Sequence, residues 1–159
     1  MKTLVLGYGN RSRIDDGVGW FVLERLQELE LPNAELQTSH QLDVDHAELV
    51  SGFDEVIFVD AAVPQSPHSI ALTVVQPCFQ SHAVAHYLTP SDLLALAQTL
   101  FGRAPRGILF SIRGFDFNFG TTLSSATERA ASVVVRQIKD LLSTPQQTES
   151  GKRGLAAHA

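Results

Sequence analysis

Residues 4–19, LVLGYGNRSRIDDGVG, read as an apolar strand, a glycine turn and the start of a helix, with two adjacent carboxylates where the helix begins. Thr3–Leu6 is short, apolar and branched enough for a buried strand, and Gly7 and Gly9 end it by permitting positive φ or close backbone approach. Beyond the turn, Val18, Phe21 or Val22, Leu26 and Leu29 recur at helical spacing on one apolar face. Asp15 and Asp16 therefore fall in the loop or the first helical turn, where free backbone N–H groups and the positive end of the helix dipole favour a carboxylate. Capping alone would account for both acids, and the spacing leaves a ligand-binding use open.

Working outward, strand and helix continue to alternate. Pro32 and Asn33 make a turn, Ala34–Thr38 reads as a second strand and Asp45–Val50 as a short helix. Glu55–Asp60, EVIFVD, is apolar throughout its middle, which predicts burial on both faces at the sheet centre. Pro64 and Pro67 break the chain before Ile70–Val75, whose weaker alternation and short connection suit an antiparallel or edge strand. Thr89 as N-cap, Pro90 at the first helical position, Asp92 at the third and Gly102 as stop delimit a helix with Leu93, Leu96, Ala97 and Leu100 on one face. Ile108–Ile112 is a fifth strand, and Ser125 with Glu128 reads as the capping box of a last helix running to Leu142. The pattern predicts an α/β fold, a three-layer α/β/α sandwich around a mostly parallel, twisted sheet of roughly five strands. It forms a single domain over residues 1–142, and the polar, Gly- and Ala-containing stretch 143–159 reads as a disordered tail.

Composition narrows the function classes. At 159 residues, with 44% hydrophobic and 18% charged, the chain has the size and balance of one soluble globular domain. Its 17 acidic against 12 basic residues give a formal net charge of −5, so there is no electrostatic footprint for nucleic acid or an anionic membrane. No apolar run approaches the roughly 18 residues of a membrane span, and no signal-peptide pattern precedes the first strand, so a cytoplasmic location is expected. Cys78 is the only cysteine, which excludes an intrachain disulfide or a thiolate metal cluster, and its context does not activate a nucleophile.

In open α/β sheets ligands gather at the carboxyl ends of the strands. Asp60 ends the central strand, Asp16 follows the first strand and its turn, and His86 lies just ahead of the well-capped helix, so one sheet edge can receive all three. Two carboxylates and an imidazole suit a divalent transition metal with positions left open for water or substrate. Each residue taken alone also has an ordinary use, as a hydrogen-bond acceptor or a surface histidine. A dinucleotide fingerprint does not fit, because Ser12 stands where the third glycine of G-x-G-x-x-G is needed, and no Gly-Lys-Ser/Thr follows to make a phosphate loop.

With these blocks in view, LVLGYGNRSRIDDGVG resembles the opening of the nickel–iron hydrogenase maturation endopeptidases, an apolar strand, G-x-G-N, a few variable residues and then D-[DE]-G-x-G. VIFVDAAV resembles that family's strand ending in a metal-binding aspartate, HYLTPSDLLALAQTLFG its H-x-L-x-P before a Leu-rich helix, and GFDFNFGTTLS its final loop. The resemblance spans residues 1–142. It implies that Asp16, Asp60 and His86 are ligands of nickel supplied by the substrate, a [NiFe] hydrogenase large-subunit precursor whose C-terminal extension is removed. Asp16 is then also a candidate general base, with an aspartic-type or metal-assisted mechanism left open. Nickel-insertion accessory proteins are implied as further partners, and a monomer is expected. The chain departs from the family in TSHQLDVDHAEL, where Thr38 replaces an acid and His40 becomes an alternative contributor, and His82 is a possible competitor of His86. A non-catalytic module that binds a metallated precursor is the alternative from another class.

Overall fold

The computed structural model describes residues 1–80 and 87–144. His82, His86 and the predicted tail from residue 145 onward lie outside the described residues. The sheet has five strands, β1 (Thr3–Tyr8), β2 (Ala34–Ser39), β3 (Glu55–Ala62), β4 (Ile70–Val75) and β5 (Arg106–Arg113), in the order β2-β1-β3-β5-β4. All neighbours are parallel except β4, which runs antiparallel to β5 at the edge, as its short connection predicts.

Four α-helices cover the two faces: α1 (Val18–Gln27), α2 (Asp45–Ser51), α3 (Pro90–Phe101) and α4 (Ser125–Ser143). The central strand shows how they are assigned, since successive side chains of a strand point to opposite faces. Val56 and Phe58 pack with Leu4, Leu6 and Tyr8 of β1 against Ala47 and Val50 of α2 and Leu93, Leu94 and Ala97 of α3. Ile57 and Val59 pack with Val5, Ile108, Phe110 and Ile112 against Val18, Val22 and Leu26 of α1 and Ala131, Val134 and Ile138 of α4. This is the three-layer sandwich the alternation predicts, with β3 fully buried on both faces from Val56 to Val59.

Several local expectations change. β1 does not stop at the first glycine but runs through Gly7 to Tyr8, because Gly7 is used for close approach rather than for a turn. A Cβ on Gly7 would stand 2.5 Å from the Gly19 carbonyl oxygen, and one on Gly19 would stand 2.8 Å from that of Val59, so the two bare glycines let α1 lie directly on the sheet. The buried stripe of α1 is accordingly Val18, Gly19, Val22, Leu23 and Leu26, and Leu29 lies past the helix end and exposed. On α3 the cap, the capping box and the left-handed Gly102 stop are as predicted, but Leu94 is buried and Leu100 is exposed. The α4 capping box is absent: the cap residue is Ser124, and its hydroxyl is drawn instead to Asp15 and Thr127.

Candidate active site

The carboxyl ends of β1, β2 and β3 and the start of α3 enclose a cavity of about 450 Å³. Asp16 and Asp60 both line it, together with Tyr8, Asn10, Arg13, His40 and Tyr87. Two of the three sequence-predicted ligands are thus brought to one site, and the third, His86, falls outside the described residues. Among the described residues no group of three His, Cys, Asp or Glu side chains is clustered tightly enough to hold a metal ion. His40, carried just past the end of β2, supplies an imidazole to the same cavity wall.

The turn after β1 explains how Asp16 is aimed. Gly9 has φ of +144°, and a Cβ there would lie 2.1 Å from the Asp16 carbonyl oxygen, so only glycine permits the chain to fold back over the acid. The Asn10 N–H then donates to Asp16 Oδ2 at 2.6 Å, and Trp20 Nε1 donates to the Gly9 carbonyl at 2.9 Å. One 3₁₀ turn, Ile14–Gly17, separates the two adjacent acids into different environments.

Asp15 is fully buried and points away from the cavity's wall into the loop before α4. It accepts from the N–H groups of Phe115 at 2.8 Å, Asp116 at 3.0 Å and Ser124 at 2.8 Å, and from the Ser124 hydroxyl at 2.7 Å. Burial alone would raise its pKa, but these donors outweigh that and hold the carboxyl below its ordinary value. It caps neither the 3₁₀ turn nor α1, both of which lack a side-chain cap, so the capping reading of this acid gives way to that of a loop tie.

Asp60 has the opposite environment. It lies on β3 two residues before the strand ends, with its own Oδ1 accepting from the Ala61 N–H at 2.7 Å. Burial pushes its pKa up to about 7, and the nearby Asp16 charge adds to the rise, while the Ala61 N–H and the Tyr8 hydroxyl oppose it. Burial and the Asp60 charge in turn raise the Tyr8 phenol well above its usual value, so Tyr8 stays a hydrogen-bond donor to the carboxylate. Sequence reasoning passed over Tyr8. The parallel register pairs Gly7 with Val59, which puts the next residues, Tyr8 and Asp60, side by side on the same face. The signal was a phenol on the last strand position before a glycine turn.

Chemically, the Asp16 charge raises the proton affinity of the Asp60 carboxyl, and a divalent cation held by the two acids would relieve that repulsion. Oxygen donors joined by an imidazole fit a borderline metal such as nickel.

No protein-family model matches the sequence, and no curated protein matches it. Solved structures do match the fold. The hydrogenase maturating endopeptidase HybD from E. coli superposes with a TM-score of 0.75 at 20% identity, over 89% of this chain and 92% of that one. The [NiFe] hydrogenase maturation protease HycI from Thermococcus kodakarensis gives 0.71 at 21% identity, over 90% and 93%. A hydrogenase 2 maturation peptidase from a Thaumarchaeota archaeon gives 0.66 at 19% identity, over 90% and 99%. The chain therefore has the fold of the hydrogenase maturation proteases along nearly its whole described length.

Proposed function

We propose that this protein is an endopeptidase that removes the C-terminal extension of a [NiFe] hydrogenase large-subunit precursor once that precursor carries nickel. The observation that carries the reading is the convergence of Asp16 and Asp60 on one cavity, in the fold of the hydrogenase maturation proteases. Nickel is part of the substrate in this reading. It arrives bound to the precursor and is met by Asp16, Asp60 and an imidazole, with His86 as the ligand implied by the resemblance and His40 present in the cavity. An incomplete ligand set gains affinity only for a precursor that brings its own metal, which makes the site a checkpoint against cutting an unloaded one.

Cleavage adds one water across the peptide bond, giving a new carboxylate on the precursor and a free amine on the released extension. Asp16 is the carboxylate we assign as acceptor of the water proton, and the nickel held by Asp16, Asp60 and an imidazole would supply Lewis acidity for the scissile carbonyl. Incubation with nickel-loaded precursor should give a shortened large subunit by mass spectrometry, with no product from nickel-free precursor. Chelator-washed protein should retain this activity. Asp16→Asn and Asp60→Asn should lower the rate at least about a hundredfold while leaving circular dichroism unchanged. Normal cleavage by both variants would overturn the site, and a stable complex without cleavage would make the protein a binding module instead.

A further inference from the structure

Arg13 lines the same cavity as Asp16 and Asp60 and is the one guanidinium or ammonium among the described residues that do so. In a chain with a net charge of −5 it would be expected to find an acid, yet none of the described carboxylates pairs with it. Its guanidinium lies 4.1 Å from the centroid of the Phe119 ring, and its one hydrogen bond to a described residue is a long 3.5 Å contact with the Phe117 carbonyl. Phe119 is itself 79% exposed, so it contributes little to the core and serves mainly as a plate behind the guanidinium.

The backbone beneath this pair is fixed. Arg13 and Gly120 form a parallel β-bridge, Ile14 N–H donates to the Gly120 carbonyl at 3.0 Å, and Gly120 N–H donates to the Ser12 carbonyl at 2.9 Å. Ile14 is held at φ of +41°, a conformation a β-branched residue adopts only when its surroundings impose it. The 10–17 turn and the 114–124 loop are thus locked together, and they present a planar fork whose face is stacked and whose edge donors, among the described residues, make only the long contact with the Phe117 carbonyl. Such a fork matches a carboxylate in bidentate geometry, and stacking reduces the rotamer freedom lost on binding.

We propose that Arg13, backed by Phe119, is a substrate-docking residue that binds a carboxylate of the precursor's C-terminal extension, on a side chain or at the chain terminus. The inference rests on the endopeptidase reading for the identity of the substrate. It divides the cavity by charge: Asp16 and Asp60 face the cationic end of the substrate and repel anions, while Arg13 orients the acidic portion of the segment that leaves.

The test uses the large-subunit precursor encoded in the same genome, nickel-loaded, and a fluorescein-labelled synthetic peptide of its extension, each with carboxylates intact or neutralised (acidic side chains to amides, and for the peptide an amidated terminus). Arg13→Ala should raise KM about five- to tenfold with kcat changed by less than about twofold, and Arg13→Lys should recover part of the loss. Neutralising the extension should raise the wild-type KM by a similar factor and add nothing to Arg13→Ala, which is the signature of a shared contact. An unchanged KM, a fall confined to kcat, or equal losses on intact and neutralised extensions would overturn the proposal. Should the wild type bind the peptide without cutting the precursor, the endopeptidase reading fails by itself. Anisotropy then decides Arg13, whose loss must weaken binding of the free-carboxylate peptide and not of the amidated one.

Discussion

Asp15 and Asp16 are neighbours in sequence with the same side chain, and their surroundings give them different work. Asp15 is enclosed by four donors from the loop before α4, whereas Asp16 opens onto the cavity with a single backbone N–H on its Oδ2. Asp15→Ala would strand the Phe115, Asp116 and Ser124 donors in a buried place, and should destabilise the fold by about 3–5 kcal/mol in urea unfolding. Because the folded pKa of Asp15 is depressed, its stabilisation is present above the ordinary carboxylate range and is lost as pH falls through the folded value. For Asp60 the sign reverses. Its pKa rises from 3.8 to about 7 on folding, so the native state holds a proton that the unfolded chain has given up, and stability falls as pH climbs between those values. Asp60→Asn should therefore raise Tm by a few degrees above pH ~7, with the gain shrinking towards pH ~4, as read by thermal unfolding across a pH series.

At the scale of elements, the site is made by how β1, its turn and α1 sit on one another. Gly7 and Gly19 remove the side chains that would hold α1 away from β1 and β3, and the start of α1 follows directly on the 3₁₀ turn that carries Asp16. Gly19→Ala should therefore act twice, destabilising by about 1–3 kcal/mol through overpacking and slowing precursor cleavage by displacing Asp16. Denaturant unfolding and the processing assay read the two effects separately. α3 is the element whose limits were most legible beforehand, because its cap, proline, capping acid and glycine stop act within a few residues of one another. The bounds of α4, Ser125–Ser143, were nearly as legible, but its capping box was not, since Ser124 answers to Asp15, which is 109 residues away in the chain.

For the molecule as a whole, the parallel sheet separates a functional edge from a structural one. The carboxyl ends of β1, β2 and β3 carry the cavity, while the amino ends carry Lys2, Asp54, Arg103 and Arg106, with Asp54 accepting from the Lys2 N–H at 2.7 Å and pairing with Arg103. Arg103→Ala should leave precursor processing within about twofold of wild type, because an exposed ion pair at the far edge neither shapes nor charges the cavity. A larger drop in the processing assay would mean that the amino-terminal edge also contacts the precursor. Among the described residues no helix is long and apolar enough to cross a membrane.

The sequence by itself determined the layers, the central place of β3, the edge place of β4 and the choice of Asp16 and Asp60 as candidate acids. Those features follow from short-range signals: apolar runs, glycine and proline punctuation, and helix caps. EVIFVD shows its place at the sheet centre in its own composition, and the edge position of β4 follows from the prolines and short connection before it. Only the tertiary structure decided that Asp15 ties down the loop before α4, that Tyr8 supports Asp60, and that Arg13 is stacked on Phe119 with no described acid beside it. The physical reason is that these are relations between distant segments. The strand register, the close approach allowed by Gly7 and Gly19, and the docking of the 114–124 loop set side-chain environments that no local pattern encodes.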